Sequence, residues 1–540
     1  MFHQLLTPVG NSLELSFLVA ALPVLSVVLL LGVFRRPAWQ AALVGLVVGV
    51  IVAVGPWQMP AGLAVQSILN GAIFALWPVM WLVLNGLLLY NVAVRSGRFD
   101  AFRSWMLANL PNDRRIVLVV VGFCFGALLE GVAGFGCPVA ITSSLLILLG
   151  FAPLEALVFT LIFNTTPVAF GGLGLPVTVL GAVTDLPATT LAAMIGRQLP
   201  VIGLILPFYV TALYGGWRSV RALWPVLLVA GASFGTAQFL ASNFINYTLT
   251  DVLSALTSLI VTVLFVRVWH VAPDREYVIK DTQSGGANAT ASVPAWQGWL
   301  PWLLVAATVV LWSSLKLSAR GQLNVHWPGL HNAIAITLYH DKPYAAIWNF
   351  QPLATGTAVL VACLVTCVLF RVSPAAFAGC VAQTLRQTWL AVMTVVLIIG
   401  LAYLMNYSGL AYTLGLGAAS TKRLFILFSP FLGWIAVALS GSDTSGNALF
   451  GNLQVVAAKQ INLNPILLAA TNSSGGVMGK MISPQNLATG AAVTQLKGQE
   501  GAIFARTFVH SIVLTLVLAA LVIVQQYLLP GIIPSAGSAP

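Results

Sequence analysis

The chain consists of a succession of apolar runs, many about as long as a helix must be to cross a lipid bilayer. An α-helix rises 1.5 Å per residue, so about 20 apolar residues span a hydrocarbon core of ~30 Å. Only 7% of the 540 residues are charged and 59% are hydrophobic, whereas soluble domains are about a quarter charged. We therefore predict an all-α polytopic membrane protein with about 12–14 transmembrane segments. Clear runs are 16–34, 38–54, 223–240, 353–370, 389–404 and 511–529, and 201–213 is a shorter one.

Basic residues cluster in short segments between these runs, and the net charge is +11. In membrane proteins such clusters mark cytoplasmic segments, so the charge does not indicate nucleic-acid binding. No Lys or Arg precedes the first run, which ends in Arg35-Arg36. This pattern predicts a true span that starts outside rather than a cleaved signal peptide.

The chain also matches itself at an offset that drifts from 314 to 308 and returns to 309. A single match in apolar sequence means little, but a dozen in order, with rare residue types among them, indicate a duplication. The clearest pairs are Pro60 with Pro374, Gly131 with Gly441, Asn164 with Asn472, Pro176 with Pro484 and Arg197 with Arg506.

The two copies are predicted to face opposite ways across the membrane. Two spans precede Pro60, which places it outside, whereas Pro374 lies between Arg371 and Arg386 and should be inside. Inverted repeats of this kind are common in secondary transporters. The predicted division is 1–59, N-terminal spans; 60–197, first inverted repeat; 198–373, connecting spans, a polar linker (272–297) and an external loop (316–352); 374–506, second inverted repeat; and 507–540, C-terminal span and tail.

Two glycine-rich stretches with a carboxylate interrupt the apolar runs, EGVAGFG at 130–136 and SGSDTSG at 440–446. Second polar patches follow, at 164–166 and 472–474. Helix-breaking polar segments at membrane depth survive only where protein or a watery cavity surrounds them. Their recurrence in two halves predicts broken helices or re-entrant hairpins at a substrate site.

Three ionisable residues lie in or next to these breaks. A charge at the bilayer centre costs about 3 kcal/mol, so Glu130 and Asp443 are candidates for binding and releasing a proton. The alternative is a carboxylate that only caps helix amides. Lys480 could balance a substrate carboxylate or pair with Asp443, and its alternative is a side chain that reaches the membrane surface.

The breaks also supply short hydrogen-bonding groups and glycines. Helix N-termini carry partial positive charge and free N–H groups, which suits an anion such as a small hydroxy acid. Gly134, Gly136, Gly475 and Gly476 are expected to let the backbone turn. The predicted substrate-binding residues are Ser442, Thr444, Ser445, Asn447, Gly134, Phe135, Gly136, Asn164, Thr165, Thr166, Asn472, Ser473, Ser474 and Lys480.

No pattern typical of a metal site or an enzyme is apparent in the sequence. The five cysteines lack metal-ligand spacing, and His326, His331 and His340 have no cluster of carboxylates or cysteines beside them. A G-x-S-x-G match does occur, GASFG at 231–235, but it lies inside an apolar run and not at the strand-to-helix turn of a nucleophile elbow. We therefore predict a transporter that needs no cofactor.

Three motifs closely resemble the L-lactate permease family: LLEGVAGFGCP (128–138), SGSDTSGNALFGNLQ (440–454) and TNSSGGVMGKMISPQN (471–486). The similarity extends along nearly the whole chain. It implies uptake of L-lactate, often with D-lactate and glycolate, across a bacterial inner membrane, driven by the proton gradient. It also implies re-entrant hairpins and elevator-like motion. The partners would be a small monocarboxylate, protons and membrane lipid; the sequence assigns no oligomeric state.

The mechanism predicted from these features is symport, in which Asp443, or Glu130 as second choice, carries the proton. A sodium-coupled carboxylate carrier of the same architecture is the main alternative. A channel and a membrane-embedded enzyme are further alternatives that fit the paired, asymmetric breaks less well.

Overall fold

The structure is a computed structural model that describes residues 1–34, 36–132, 134, 137–272, 274–279, 293–496 and 498–535. It confirms the all-α membrane class. The helices in chain order are α1 (Leu13–Gly32), α2 (Ala38–Val54), α3 (Ala61–Phe74), α4 (Trp81–Arg95), α5 (Arg98–Ala108), α6 (Arg114–Val117), α7 (Gly126–Val132), α8 (Cys137–Leu148), α9 (Pro153–Phe163), α10 (Gly171–Thr184), α11 (Ala188–Ile195), α12 (Leu199–Leu240), α13 (Thr250–Val268), α14 (Ala295–Ser314), α15 (Thr355–Leu369), α16 (Pro374–Ser408), α17 (Leu410–Ala419), α18 (Phe425–Ser440), α19 (Asp443–Gln460), α20 (Pro465–Lys480), α21 (Pro484–Val493) and α22 (Glu500–Tyr527).

The number of long spans is lower than the 12–14 predicted. Within the described residues, nine helical stretches are long and apolar enough to cross a membrane, or up to ten if one bent pair forms a span. The difference arises in part because several apolar runs form helices shorter than a full membrane span. Examples are α2 with 17 residues and α15 with 15.

Helix α12 shows the opposite effect, because two predicted spans are joined in one 42-residue element. Its helical backbone is interrupted at Gly215 and Gly216, where Gly216 has a φ of +65°. The two arms then pack antiparallel, with Gly231 against Leu204 and Gly235 against Pro200. The glycines permit this close approach, as in other membrane helix pairs.

The outer helices present one apolar face to lipid and one to protein. In α1, exposed leucines recur at 15, 18, 22, 25 and 29, whereas Ala20, Val24 and Val27 are buried. This spacing of three and four residues is one face of an α-helix. Because lipid is as apolar as the protein interior, hydropathy alone does not separate the two faces.

The helical stretch Arg114–Val132, which joins α6 to α7 through a π-helical segment, lies at the centre of the molecule. All of its membrane-length window is buried by other helices. Helices α8, α12 and α13 pack against this stretch. It therefore carries Glu130 into the protein interior rather than into lipid.

Two long helical stretches of the first half recur in the second half with matching lengths. Ala61–Arg95 and Pro374–Ser408 each have 35 residues, and Arg114–Val132 and Lys422–Ser440 each have 19. Each 19-residue stretch ends at one of the glycine-rich breaks. These lengths support the duplication deduced from the sequence matches.

The two 35-residue stretches, α3–α4 with its kink at Trp77 and the continuous α16, lie antiparallel along their length. Asn70 donates a hydrogen bond to Tyr407, near the start of one helix and the end of the other. Asn91 donates to Thr384 at the opposite end of the pair. An antiparallel pair is expected if the repeats are inverted; inversion of the complete repeats stays a prediction.

Residues 316–352 form a small β-structured cap with the N-terminal segment. Strand β1 (Phe2–His3) pairs in parallel with β3 (Ile334–Ile336), which pairs antiparallel with β4 (Lys342–Pro343). Strands β2 (Leu323–His326) and β5 (Ile347–Phe350) form a separate antiparallel pair. The cap is therefore on the same side of the molecule as the chain start. The predicted polar linker 272–297 lies partly outside the described residues.

Candidate functional site

Helices α18 and α19 are separated by a two-residue break that places Asp443 at a helix N-terminus. Gly441 adopts a φ of +72° and ends α18. Ser442 is extended, and its side chain accepts a hydrogen bond from the backbone N–H of Ser445. This is an ordinary serine N-cap. Asp443 is the first residue of α19, so its charge meets the positive end of the helix dipole.

The corresponding break in the first half separates α7 from α8. Glu130 lies in the last turn of α7, and Gly134 follows with a φ of +54°. Phe135 and Gly136, two of the predicted substrate-binding residues, lie outside the described residues. The first-half break therefore places its carboxylate before the interruption, whereas Asp443 comes after the interruption in the second half.

A third break separates α9 from α10, which are bent by 65° relative to each other. Three consecutive residues at the start of α10, Gly172, Leu173 and Gly174, have positive φ angles of +54°, +60° and +75°. For a leucine this conformation costs roughly 1–2 kcal/mol. Such strain persists only where the surroundings enforce it, and it is concentrated at functional sites.

The second polar patch of the second half does not break its helix. Helix α20 is continuous from Pro465 to Lys480, so the prediction that Gly475 and Gly476 turn the backbone is wrong. A Cβ atom at Gly475 would lie 2.1 Å from the carbonyl oxygen of Pro430. The glycines instead allow α20 to pack closely against α18 and α19.

Lys480 and Glu130 form an ion pair across the two halves of the chain. The Lys480 Nζ and Glu130 Oε1 atoms are 2.7 Å apart, and the residues are 7% and 2% exposed. Lys480 is therefore buried and pairs with Glu130 rather than with Asp443. Gly171 makes room for the pair, because a Cβ there would lie 2.7 Å from Glu130 Oε1.

Asp443 is 3% exposed and receives hydrogen bonds on one of its two oxygens. Its Oδ2 accepts from the Ser473 hydroxyl and, at 3.3 Å, from the Asn447 amide. Its Oδ1 has no hydrogen-bond partner among the described residues. A Cβ at Gly476 would lie 2.4 Å from that oxygen. Oδ2 is thus hydrogen-bonded, whereas Oδ1 has no partner among the described residues.

A buried amide network supports this arrangement. Asn447 donates to the carbonyl of Pro176 and accepts from Asn472. Asn472 in turn accepts from Gln454, which is bonded to Ser429. The network connects α19 and α20 to each other and, through Pro176, to α10. It therefore fixes the position of these two helices of the second half relative to α10 of the first half.

A cavity of about 60 Å³ lies between the two halves at these breaks. The N-termini of α10, α19 and α21 meet at its wall, together with Lys480 at the end of α20. The first N–H groups of a helix have no acceptor within the helix, and each N-terminus carries a partial positive charge. The cavity also contains the carboxylates of Glu130 and Asp443. Its electrostatics therefore suit one small anion and a proton.

Six of the described residues predicted from the sequence lie at this cavity: Glu130, Gly134, Ser442, Asp443, Thr444 and Lys480. Ser473 touches it indirectly by donating to Asp443. The remaining described candidates do not line it: Asn164, Thr165, Thr166, Ser445, Asn447, Asn472 and Ser474.

Several of those remaining residues have structural contacts of their own, whereas Asn164 Oδ1 and the Thr166 hydroxyl are buried without a hydrogen-bond partner among the described residues. The Thr165 hydroxyl donates to the carbonyl of Ile162, and Ser474 donates to Gln198. The backbone carbonyl of Thr166 accepts from Gln238. These side chains are buried near the breaks and stabilise helix packing around the cavity.

Sequence reasoning did not single out the rest of the wall: Val168, Gly171, Gly172, Leu175, Pro176, Gly441, Gln485 and Asn486. Two signals were available. The stretch 171–176 reads GGLGLP inside an apolar run, and it corresponds in the repeat to the region that ends at Pro484. Gln485 and Asn486 directly follow that proline at the start of a short helix.

Comparison with known proteins gives a consistent assignment. The family model described as L-lactate permease matches residues 16–529. The chain is 40% identical to an L-lactate permease of Salmonella typhi, covering 99% of this chain and all of that one. It is 38% identical to a glycolate permease of Escherichia coli K12, covering 98% and 99%.

The similarity to solved structures is one of fold alone. The transporter MtrF of Neisseria gonorrhoeae, described in its title as illuminating a class of antimetabolite efflux pumps, has a TM-score of 0.53 at 14% sequence identity. The match covers 95% of this chain and 99% of that one.

Proposed function

The chain belongs to the L-lactate permease family, and from that premise we propose that it imports L-lactate and related 2-hydroxymonocarboxylates, D-lactate and glycolate, by proton symport. Its relatives are named as permeases of L-lactate and of glycolate. Permeases are transporters and not enzymes. The buried, charged cavity between the two halves of this multi-pass membrane protein is the proposed substrate site.

The observation that carries the proposal is the meeting of three helix N-termini with Lys480 at one small cavity. A monocarboxylate brings a single negative charge, which helix N-termini and one ammonium group can balance. A phosphate ester carries more charge and would call for arginines, and the cavity wall contains none. The volume of about 60 Å³ also favours a molecule of a few heavy atoms.

The wall contains groups suited to each part of a 2-hydroxy acid. Leu175 and Pro176 provide an apolar surface for a methyl group. Ser442 and Thr444 provide hydroxyls for the substrate hydroxyl. We propose that the carboxylate binds near Lys480 and the start of α19.

Proton coupling follows from the charges. When a substrate carboxylate binds Lys480, it competes with Glu130 for that ammonium group. A buried carboxylate without a partner is strongly unfavourable, and a proton removes the charge. Asp443, with its free oxygen, and Glu130, once released, are the two groups proposed to take the proton. The loaded site then crosses the apolar barrier at lower cost than a charged one.

We also propose that the substrate site alternates between the two sides by an elevator-like movement. The inverted repeats 60–197 and 374–506 would provide the two related conformations. The antiparallel packing of the two 35-residue helices supports this division.

The decisive experiment is uptake of labelled L-lactate into proteoliposomes, with the proton and sodium gradients set independently. We expect concentrative uptake under an inward proton gradient in sodium-free buffer, and none under a sodium gradient at equal pH. Liposomes without protein give the background. Uptake that requires sodium and ignores the pH gradient would instead assign the chain as a sodium-coupled carboxylate carrier.

A further inference from the structure

A groove on the lipid-facing side of α12 shares no residue with the cavity between the two halves. It follows the line where the two arms of this helix touch, and its volume is about 600 Å³. Val201 and Leu204 of the first arm form one wall, and both side chains are exposed. The second arm contributes Gly231 and Gly235, which have no side chains to fill the groove. Because both arms belong to a stretch that is long and apolar enough to cross the membrane, acyl chains of the bilayer meet this groove.

Arg197 lies at the end of the groove where α12 begins. Its Nε donates a hydrogen bond to the side-chain oxygen of Asn243 at 2.9 Å, and its Nη1 donates to the backbone carbonyl of Ile532. Among the described residues, its Nη2 makes no hydrogen bond, and no carboxylate forms an ion pair with it. The guanidinium is therefore fixed in orientation, but it keeps a free donor and lacks a counterion.

This end of the groove lies near the level where lipid headgroups begin. Asn246, three residues after Asn243, donates to Ser313 in the last turn of α14, and the β-structured cap follows directly. From residue 231 to residue 239 the groove extends along eight helical steps, or about 12 Å. One leaflet of a ~30 Å hydrocarbon core is only slightly thicker. The dimensions therefore match one acyl chain that hangs below a headgroup held at Arg197.

We propose that this groove binds one anionic phospholipid, with the lipid phosphate on Arg197 and one acyl chain along the two glycines. The phosphate supplies the missing counterion and accepts the free N–H, and the planar donors of arginine suit phosphate oxygens. Basic pockets between membrane helices bind anionic headgroups in this way. The chain in turn covers the exposed apolar wall.

The lining of the groove favours a lipid over other occupants. A peptide segment would bring backbone polar groups that need partners inside the membrane, and Thr236 is the one lining residue with a side-chain hydroxyl. A free phosphate would leave the apolar wall uncovered. Because the groove and the cavity are separate, the lipid site does not depend on the proposed transport function.

The test titrates the purified full-length protein in detergent with phosphatidylglycerol and counts the bound lipid by native mass spectrometry. We expect one site that saturates. Phosphatidylcholine with the same acyl chains should bind about tenfold more weakly, because its headgroup carries its own cation to balance the phosphate. Inorganic phosphate has the charge without the chains, and we expect no binding in the same concentration range.

Arg197→Gln tests the headgroup contact. We expect it to bind phosphatidylglycerol about tenfold more weakly, which corresponds to the loss of one charge-assisted hydrogen bond. Arg506→Gln is the matched control, because Arg506 is the repeat counterpart of Arg197, is exposed and lies outside the groove. It should bind the lipid like the unmodified protein.

Thr236→Trp tests the acyl-chain contact and leaves Arg197 unchanged. Thr236 is exposed on the groove wall, so an indole ring there takes the space of the chain, and we expect about tenfold weaker binding. Leu228→Trp adds the same ring at an exposed position of the same arm outside the groove. It should leave binding unchanged.

Equal binding of the two phospholipids overturns the proposal, and so does full affinity of Arg197→Gln for phosphatidylglycerol. Inorganic phosphate that binds as tightly as phosphatidylglycerol also overturns it, because the chains would then play no part. If Arg197→Gln does not fold without the bonds to Asn243 and Ile532, Thr236→Trp decides. Weaker binding by that variant than by Leu228→Trp supports the lipid site, and equal binding overturns it.

Discussion

Glu130 and Lys480 contribute opposite charges to one cavity from the two halves of the chain. Each charge is buried, so each depends on the other for compensation. Removing one partner of such a pair costs about 3–5 kcal/mol, because the remaining charge has no counterion. A substrate anion can replace Glu130 at Lys480 without that cost if Glu130 is neutralised at the same time.

Replacing Asp443 tests its proposed role as the group that binds the coupled proton. Asp443→Asn can still bond to Ser473 and Asn447, but it cannot bind a proton. We expect the variant to exchange labelled for unlabelled lactate across proteoliposomes at near the normal rate. We expect its accumulation under a pH gradient to fall at least tenfold, because a variant that binds no proton cannot use the gradient to drive uptake. A tenfold ratio corresponds to about 1.4 kcal/mol.

Asp100→Asn is the matched control, because it removes a carboxylate from an exposed surface pair with Arg103. Asp443→Asn that concentrates lactate as well as this control would show that Asp443 does not carry the proton. Coupling would then be assigned to Glu130.

Single residues could be predicted from the sequence where their chemistry conflicts with their surroundings. Glu130, Asp443 and Lys480 stand out because they interrupt apolar runs. Their pairing could not be predicted, since it depends on how α7 and α20 meet in three dimensions.

At the scale of elements, the tight packing of α18 on α20 depends on small residues. A Cβ at Gly433 would lie 1.9 Å from the carbonyl oxygen of Asn472, and one at Gly479 would lie 2.3 Å from that of Trp434. Backbone atoms cannot move aside as the end of a flexible side chain can. The position of α20, and with it that of Lys480, is therefore fixed by this contact.

Gly433→Ala tests the contact. The added methyl group overlaps a backbone oxygen, and overpacking of this kind costs about 1–3 kcal/mol. We expect a lower thermal unfolding midpoint in detergent and weaker lactate binding. The measurement is a thermal melt of the purified protein with and without lactate.

Gly501→Ala is the control, because no atom lies within 4 Å of the added Cβ. In that exposed helical position, alanine should leave the melting midpoint unchanged or raise it, because alanine stabilises a helix by up to about 1 kcal/mol relative to glycine. If both variants melt alike, close packing at Gly433 does not fix α20.

The glycines near the breaks show how far helix interruptions can be predicted from the sequence. Gly134 lies four residues after Glu130 and Gly475 directly after Ser474, each near an apolar run, and both suggest a broken helix. Only Gly134 has a positive φ. The difference is a matter of packing, because Gly475 faces a neighbouring backbone and helix continuity there is stabilised by that contact.

For the whole molecule, the antiparallel 35-residue helices define two ends. The end of α16 is joined to the chain start, because Gln4 donates to the carbonyls of Asn406 and Tyr407. Arg95 and Gly379 lie together at the other end. Together with the positive-inside rule, this predicts that the β-structured cap lies outside and the segment 371–374 inside.

Labelling of single introduced cysteines tests this orientation. We expect a membrane-impermeant maleimide added to intact cells to modify Gln58→Cys but to reach Arg371→Cys only after permeabilisation. Both native side chains are exposed. The native cysteines Cys124, Cys363, Cys367 and Cys380 are buried, and the unmodified chain gives the background. Labelling of both positions from the outside would rule out the inverted arrangement.

The class of the whole molecule could be predicted from composition alone, because so few charges exclude a soluble domain. The number of spans could not be predicted, since hydropathy shows which segments are apolar enough for lipid but not where each helix begins and ends. Arg114–Val132 is strongly apolar, yet it is entirely enclosed by protein. The lipid-facing α1 has the same kind of composition.

The distance of 350 residues between Glu130 and Lys480 also has a consequence for biosynthesis. A ribosome adding 5–20 residues per second needs roughly 20–70 s to reach the lysine after it has made the glutamate. Throughout that interval the nascent first half contains an acid whose counterion does not yet exist. Chains that terminate before the last quarter would keep this defect permanently, which makes them natural targets for membrane quality-control proteases.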